Sequence, residues 1–178
     1  MIRDLTREET TSIRREFNKW GIFNCLIDKV FTLKESDDNS KSIFIIPLRL
    51  KKLMFYPYSC YGGLYIGSIK KKKFIPSIAF FDMVVKYSNN FLYVIVDCNG
   101  EKLTLYGRDI FGNSILYASQ KIEENSILLI LNQSKELLGL GRARFQTTKI
   151  KQNGKVTINT LLDIGTFLRS ENHRNKTI

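Results

Sequence analysis

The stretch Leu138-Gly139-Leu140-Gly141-Arg142-Ala143-Arg144 decides how the chain is read. Leucines and glycines lead into two arginines separated by one small residue. Residues two apart on a strand share a face, so Arg142 and Arg144 point to one side. Two glycines in a strand permit bending or close approach of another backbone. The pattern predicts a strand over Leu140–Thr147 with a cationic face. Working outward, the texture stays β. Lys155–Leu161 follows the Asn153-Gly154 turn. Before it come Leu92–Asp97, Lys102–Tyr106, Ile115–Ile122 and Ser126–Leu131. Turn residues separate them at Asn99-Gly100, Gly107, Gly112-Asn113, Glu123–Asn125 and Asn132–Ser134. Frequent short strands with regular turns indicate a small barrel. Asp163–Arg169 reads as a closing short helix.

Upstream of the Asn89-Asn90 turn the texture is mixed. Thr6 with Glu9 has capping-box spacing and predicts a helix over residues 7–20. Ile13, Phe17 and Trp20 fall on its inner face, Arg14, Arg15 and Lys19 on its outer face, and Gly21 stops it. Leu26–Leu33 and Ser42–Pro47 read as strands around the polar segment Glu35–Ser40. Leu48–Tyr56 fits helix or strand and is taken as helical. Tyr61–Gly67 is an aromatic strand punctuated by glycine. The four-lysine run Lys70–Lys73 leads to the apolar Phe74–Phe81 and a helix completed by Asp82–Ser88. The expected division is 1–90, a small α/β domain with a mostly antiparallel sheet and helices, then 91–171, a β-barrel, then a polar tail at 172–178. The fold class is α+β.

Charge narrows the function. Across 178 residues, 28 Lys and Arg against 17 Asp and Glu leave a formal net charge of +11, and the pI is about 9.6. That balance points to polyanionic partners, nucleic acid before anionic membrane. A hydrophobic content of 43% and an aromatic content of 12% mark a folding chain. Cys25, Cys60 and Cys98 form no CxxC pair, so no disulfide framework or zinc knuckle is expected. One histidine, His173 in the polar tail, leaves no triad or three-histidine metal site within one chain. Asp28, Asp82, Asp97 and Asp163 are isolated, so no catalytic residue, metal or cofactor is assigned. The charged start predicts no signal peptide, and the apolar runs are too short for a span. A soluble intracellular protein without a membrane partner is expected.

The cations concentrate in one interval. No acidic residue lies between Glu136 and Asp163, whereas Arg142, Arg144, Lys149, Lys151 and Lys155 do. Lys149 and Lys151 repeat the strand spacing of the two arginines. Such a stripe can follow a phosphate backbone. The alternative is a solvated basic edge strand. In Tyr106-Gly107-Arg108-Asp109-Ile110-Phe111-Gly112, a strand ends in glycine and a short helical turn is expected to follow; its N-terminal amides with Gly107, Arg108 and the nearby aromatics could hold a phosphate or one or two unstacked bases. The alternative there is a plain strand connection. Tyr56, Tyr58, Tyr61 and Tyr65 suit base stacking or a core.

Four segments carry a family resemblance. They are Arg3-Asp4-Leu5-Thr6-Arg7-Glu8-Glu9-Thr10; Gly63–Gly67 with Lys73-Phe74 and Ala79–Asp82; Leu105–Phe111; and Leu138–Gly141 with Asp163–Arg169. In this order they resemble the Nip-seven family of large-subunit ribosome biogenesis factors, archaeal-type, over residues 2–171. The match is weak over Ile43–Cys60, and Lys70–Lys73 is more basic than the family pattern. The resemblance implies a pre-PUA domain followed by a PUA-type barrel that binds single-stranded, uridine-rich pre-rRNA without catalysis. It places the RNA-binding cations at Arg142, Arg144, Lys149 and Lys151. The residues add Lys155, Arg108 and Gly107. It also implies a monomeric adaptor whose N-terminal domain docks other assembly factors, cytoplasmic in an archaeon and nucleolar in a eukaryote. Two other readings are an RNA-modifying enzyme or accessory subunit, and a protein–protein adaptor without RNA contact.

Overall fold

The computed structural model describes residues 2–35, 40–55, 63–166 and 169. Ser36–Asn39 of the polar segment, Tyr56, Tyr58, Cys60, Tyr61, Phe167, Leu168 and the tail with His173 lie outside the described residues. The chain forms two compact units, Met1–Asn90 and Phe91–Ile178.

In the first unit the helix α1 spans Arg7–Lys19. Thr6 caps it: its hydroxyl accepts from Glu9 N, and the Glu9 carboxylate accepts from Thr6 N at 2.9 Å. Ile13 and Phe17 are fully buried, and Gly21 takes φ +68 after the last turn. Five strands form an antiparallel sheet in sequence order: β1 (Ile2–Arg3), β2 (Lys29–Glu35), β3 (Lys41–Pro47), β4 (Leu64–Lys70) and β5 (Lys73–Pro76). Phe17 meets Phe31 of β2 edge to face, and it meets Phe80 of helix α2 (Ile78–Tyr87) in the same way. Leu33, Ile43 and Phe74 complete this core from the sheet. The strand expected over Leu26–Leu33 starts later. Phe23–Leu26 is a 3₁₀ turn, Ile27 is exposed, and Asp28 at φ +57 redirects the chain into β2. Leu48–Phe55 is 3₁₀-helical.

The second unit is a six-stranded sheet in the order β7-β11-β10-β9-β6-β8. Its strands are β6 (Tyr93–Val96), β7 (Ile110–Phe111), β8 (Ile115–Ala118), β9 (Ile127–Leu131), β10 (Leu137–Ala143) and β11 (Val156–Asp163). All pairs are antiparallel except β6 with β9. The two edge strands β7 and β8 are joined by the 3₁₀ turn Gly112–Ser114 alone. So short a link between opposite edges curls the sheet into a near-closed barrel, filled by Val94, Val96, Ile110, Leu128, Ile130, Leu138, Ala143 and Ile158.

One expected strand is a helix. Cys98–Leu105 forms α3, with the Asn99-Gly100 "turn" inside its first turn. Asp97 caps it by accepting Gly100 N at 2.7 Å. The alternation of Leu103 and Leu105 imitates a strand, and Asn-Gly imitates a hairpin turn. The cap and the packing of the buried Thr104 decide for helix.

Candidate nucleic-acid interface

The site begins with β10, which is held between β9 and β11. Gly139 lies under β11 so closely that a Cβ there would stand 2.3 Å from the carbonyl oxygen of Leu162. Its register shifts against β9 between Leu137 and Gly139, and against β11 between Leu140 and Gly141. After these bulges Arg142 is exposed, Ala143 fully buried and Arg144 exposed. Arg144 N donates to Thr157 O at 2.9 Å, which carries the pairing one residue past the strand. The two guanidinium groups therefore share the outer face, against a buried methyl.

The lysines are arranged differently from the strand spacing expected of them. Lys149 ends the 3₁₀ turn Thr147–Lys149, and Lys151 follows the fully buried Ile150. They belong to the loop from β10 to β11, because the strand ends at Ala143. Ile150 pins this loop to the barrel core. Gly112 N donates to Lys155 O at 2.9 Å, and Lys151 Nζ donates to Leu116 O. Lys149, Lys151 and Lys155 are exposed. Arg142, Arg144 and these three lysines thus line one strand end and one loop, with no carboxylate between them in sequence.

Gly107 plays a role other than the one expected. It follows the C-terminus of α3, so no helix N-terminal amides are available there. Gly107 N donates to Thr104 O at 2.8 Å, and Arg108 N to Leu103 O at 2.8 Å. These crossed bonds form a Schellman stop, and Gly107 at φ +68 supplies the left-handed residue it needs. The Asp163 carboxylate and Arg169, paired at 2.9 Å, pack beside it, and Arg169 also donates to Leu105 O. A cation is favoured at that carbonyl-rich helix end. Arg108 is exposed, and its carbonyl accepts from Thr160 Oγ1 at 2.8 Å. Asp109 accepts from Asn159 Nδ2 and Thr160 N, both at 2.9 Å. Asn159 is the register partner of Arg142. Arg108 and Arg142 therefore flank the same stretch of β11.

The aromatics expected beside the Gly107–Gly112 turn are two exposed rings, Tyr106 (71% exposed) and Phe111 (39%). Each neighbours a glycine of the Tyr106–Gly112 segment. Of the tyrosines considered for stacking, Tyr65 is described. It is partly exposed on β4 of the first unit and packs against Phe44. No group of three or more His, Cys, Asp or Glu among the described residues is placed to hold a metal ion.

Comparison with known proteins agrees with this architecture. Residues 2–78 match the NIP7/UPF0113 pre-PUA domain, and residues 92–172 match the UPF0113 PUA domain. A UPF0113 protein of Archaeoglobus fulgidus is 29% identical over 166 residues, covering 92% of each chain. One from Aeropyrum pernix is 26% identical over 140 residues, covering 78% of this chain and 74% of its own. Among solved structures, a conserved PUA domain protein of Thermoplasma acidophilum superposes with a TM-score of 0.65 at 16% identity, over 96% of this chain and 99% of that one. A PUA domain protein of Aeropyrum pernix K1 gives 0.60 at 11% identity, over 93% and 86%. The structures speak for the fold, and the pre-PUA and PUA pairing points to RNA as the ligand class. On these matches, which together run through both units, the chain belongs to the NIP7/UPF0113 family.

Proposed function

We propose that this protein is a non-enzymatic RNA-binding assembly factor acting in large-subunit pre-rRNA maturation. Its PUA unit grips single-stranded, uridine-rich RNA, and its pre-PUA unit docks other assembly factors. It works as a monomer without a cofactor, in the cytoplasm of an archaeon or the nucleolus of a eukaryote. The observation that carries this reading is the acid-free run Arg142, Arg144, Lys149, Lys151 and Lys155 on one strand end and its following loop. Cations there neutralise backbone phosphates and supply affinity without reading sequence. Arg108, across β11 from Arg142, extends the track. Tyr106 and Phe111 offer ring faces for unstacked bases, the usual mode by which single-stranded RNA is recognised. Gly107 acts indirectly, by ending α3 so that Tyr106 and Arg108 are presented.

The test is binding of oligo-uridine by gel shift. The Arg142→Glu/Arg144→Glu double variant should fold normally and lose at least about tenfold in affinity, because two phosphate contacts become repulsions. Equal binding by variant and wild type would remove the site. Turnover of an RNA substrate by the purified protein would favour the enzymatic alternative instead.

A further inference from the structure

The first unit carries a second concentration of positive charge, outside the site above. Strands β4 and β5 are joined by Lys71-Lys72, and Lys70 is the register partner of Lys73. All four lysines are exposed. The hairpin beneath them is anchored. Ile69 and Phe74, also register partners, are buried, and Phe74 N donates to Ser12 Oγ of α1 at 3.1 Å. Paired residues share a face and neighbours alternate, so Lys70 and Lys73 project away from the side on which Ile69 and Phe74 are buried.

Two unfavourable arrangements coincide at this tip. Lys71 and Lys72 take φ +48 and +63, the only consecutive non-glycine residues in the left-handed region among the described residues. Lys121 and Lys135 also have positive φ, but each stands alone. A two-residue hairpin loop with both φ positive is the place for Asn-Gly, and side chains such as lysine are strained there. Lys70 and Lys73 set like charges directly opposite each other, which destabilises a strand pair. Among the described residues, acidic neighbours give little relief. Lys72 approaches Glu8 at 3.8 Å with both side chains more than four-fifths exposed, a pair worth little in water. Glu9 is already held by Arg3 and Lys41. Among the described residues, Lys70, Lys71 and Lys73 have no ion pair. Backbone strain and like-charge repulsion maintained together at an exposed, anchored tip point to a functional surface.

We infer that the Lys70–Lys73 hairpin is a second RNA contact, which grips the phosphodiester backbone without reading sequence. The chemistry fits a polyanion, because four ammonium groups on a pre-ordered turn lose their mutual repulsion when phosphates come between them. This rests on the RNA-binding reading and extends it from the PUA unit to the pre-PUA unit. The cations of the PUA unit then hold phosphates beside the unstacked uridines, and the hairpin adds backbone contacts of its own.

The test uses the full chain and a labelled RNA hairpin with a uridine tail, followed by fluorescence anisotropy over a salt series. Lys71→Asn/Lys72→Gly removes two charges and installs the turn that the backbone favours, so it should fold with an unchanged or higher Tm. Its affinity for the RNA should fall about threefold or more, and the slope of log affinity against log salt should shrink by about one to two. Lys70→Gln/Lys73→Gln should behave similarly and reports the other half of the tip. Wild-type affinity and slope in both variants overturn the inference. If they bind normally while Arg142→Glu/Arg144→Glu does not, the hairpin contact alone is wrong. If wild type binds no RNA, the broader reading falls with it.

Discussion

At the scale of residues, one carboxylate organises the start of the chain. Glu9 is 9% exposed and accepts from both guanidinium nitrogens of Arg3, at 2.9 and 3.0 Å, from Lys41 at 3.1 Å and from Thr6 N. The Arg3 hydrogen bonds hold the Glu9 carboxyl down at about 2, against the opposing pull of burial, and Thr6 and Lys41 assist. The unfolded carboxyl titrates near 4.5, so the stabilisation is complete above that pH and is lost as pH falls toward 2. Glu9→Gln should lower the unfolding free energy by about 1–3 kcal/mol at neutral pH, measured by urea denaturation. The gap between variant and wild type should narrow by about pH 3. The sequence exposed half of this arrangement: Thr6 and Glu9 have capping-box spacing, whereas Arg3 and Lys41 join Glu9 only once β1, β2 and β3 are paired.

At the scale of elements, α3 and the β10–β11 loop were both misread, for different causes. In α3, local patterning misled, because Asn99-Gly100 and alternating leucines suit a hairpin. Asp97 outweighs them by closing the first turn. Asp97→Ala should therefore cost about 1 kcal/mol of stability, read as a lowered Tm, with RNA affinity little changed. In the loop, the spacing of Lys149 and Lys151 copied a strand, yet the buried residue between them, Ile150, reports a pinned 3₁₀ turn. The proposed RNA contact does not require a strand at these lysines. A loop tied down by Ile150 and by the Gly112–Lys155 bond presents lysines nearly as firmly as a strand does.

At the scale of the whole molecule, charge is the property that matters. Within the net +11, two concentrations of cations lie in separate units, the Arg142–Lys155 track and the Lys70–Lys73 tip. Binding through several phosphate contacts makes affinity fall log-linearly with salt. With about five contacts to single-stranded RNA, wild type should lose roughly a hundredfold between about 50 and about 200 mM salt in the anisotropy assay. A flat salt response would favour docking to protein partners.

The sequence by itself determined the features that depend on near neighbours. These were the capped α1, the apolar segments that become strands, and the acid-free interval with Arg142 and Arg144 on one face. A period-two pattern or a capping pair is written within a few residues, so it is legible without knowledge of the fold. Its family motifs, taken in order, also carried the α+β class and the pre-PUA and PUA pairing. Tertiary structure alone decided the rest. Gly107 reads as a phosphate cradle in isolation and becomes a helix stop because α3 precedes it. Arg108 joins Arg142 across β11, although 34 positions separate them in the chain. The curl that brings β7 to β8 rests on strand order. These outcomes follow from long-range pairing, in which burial and register override local preference.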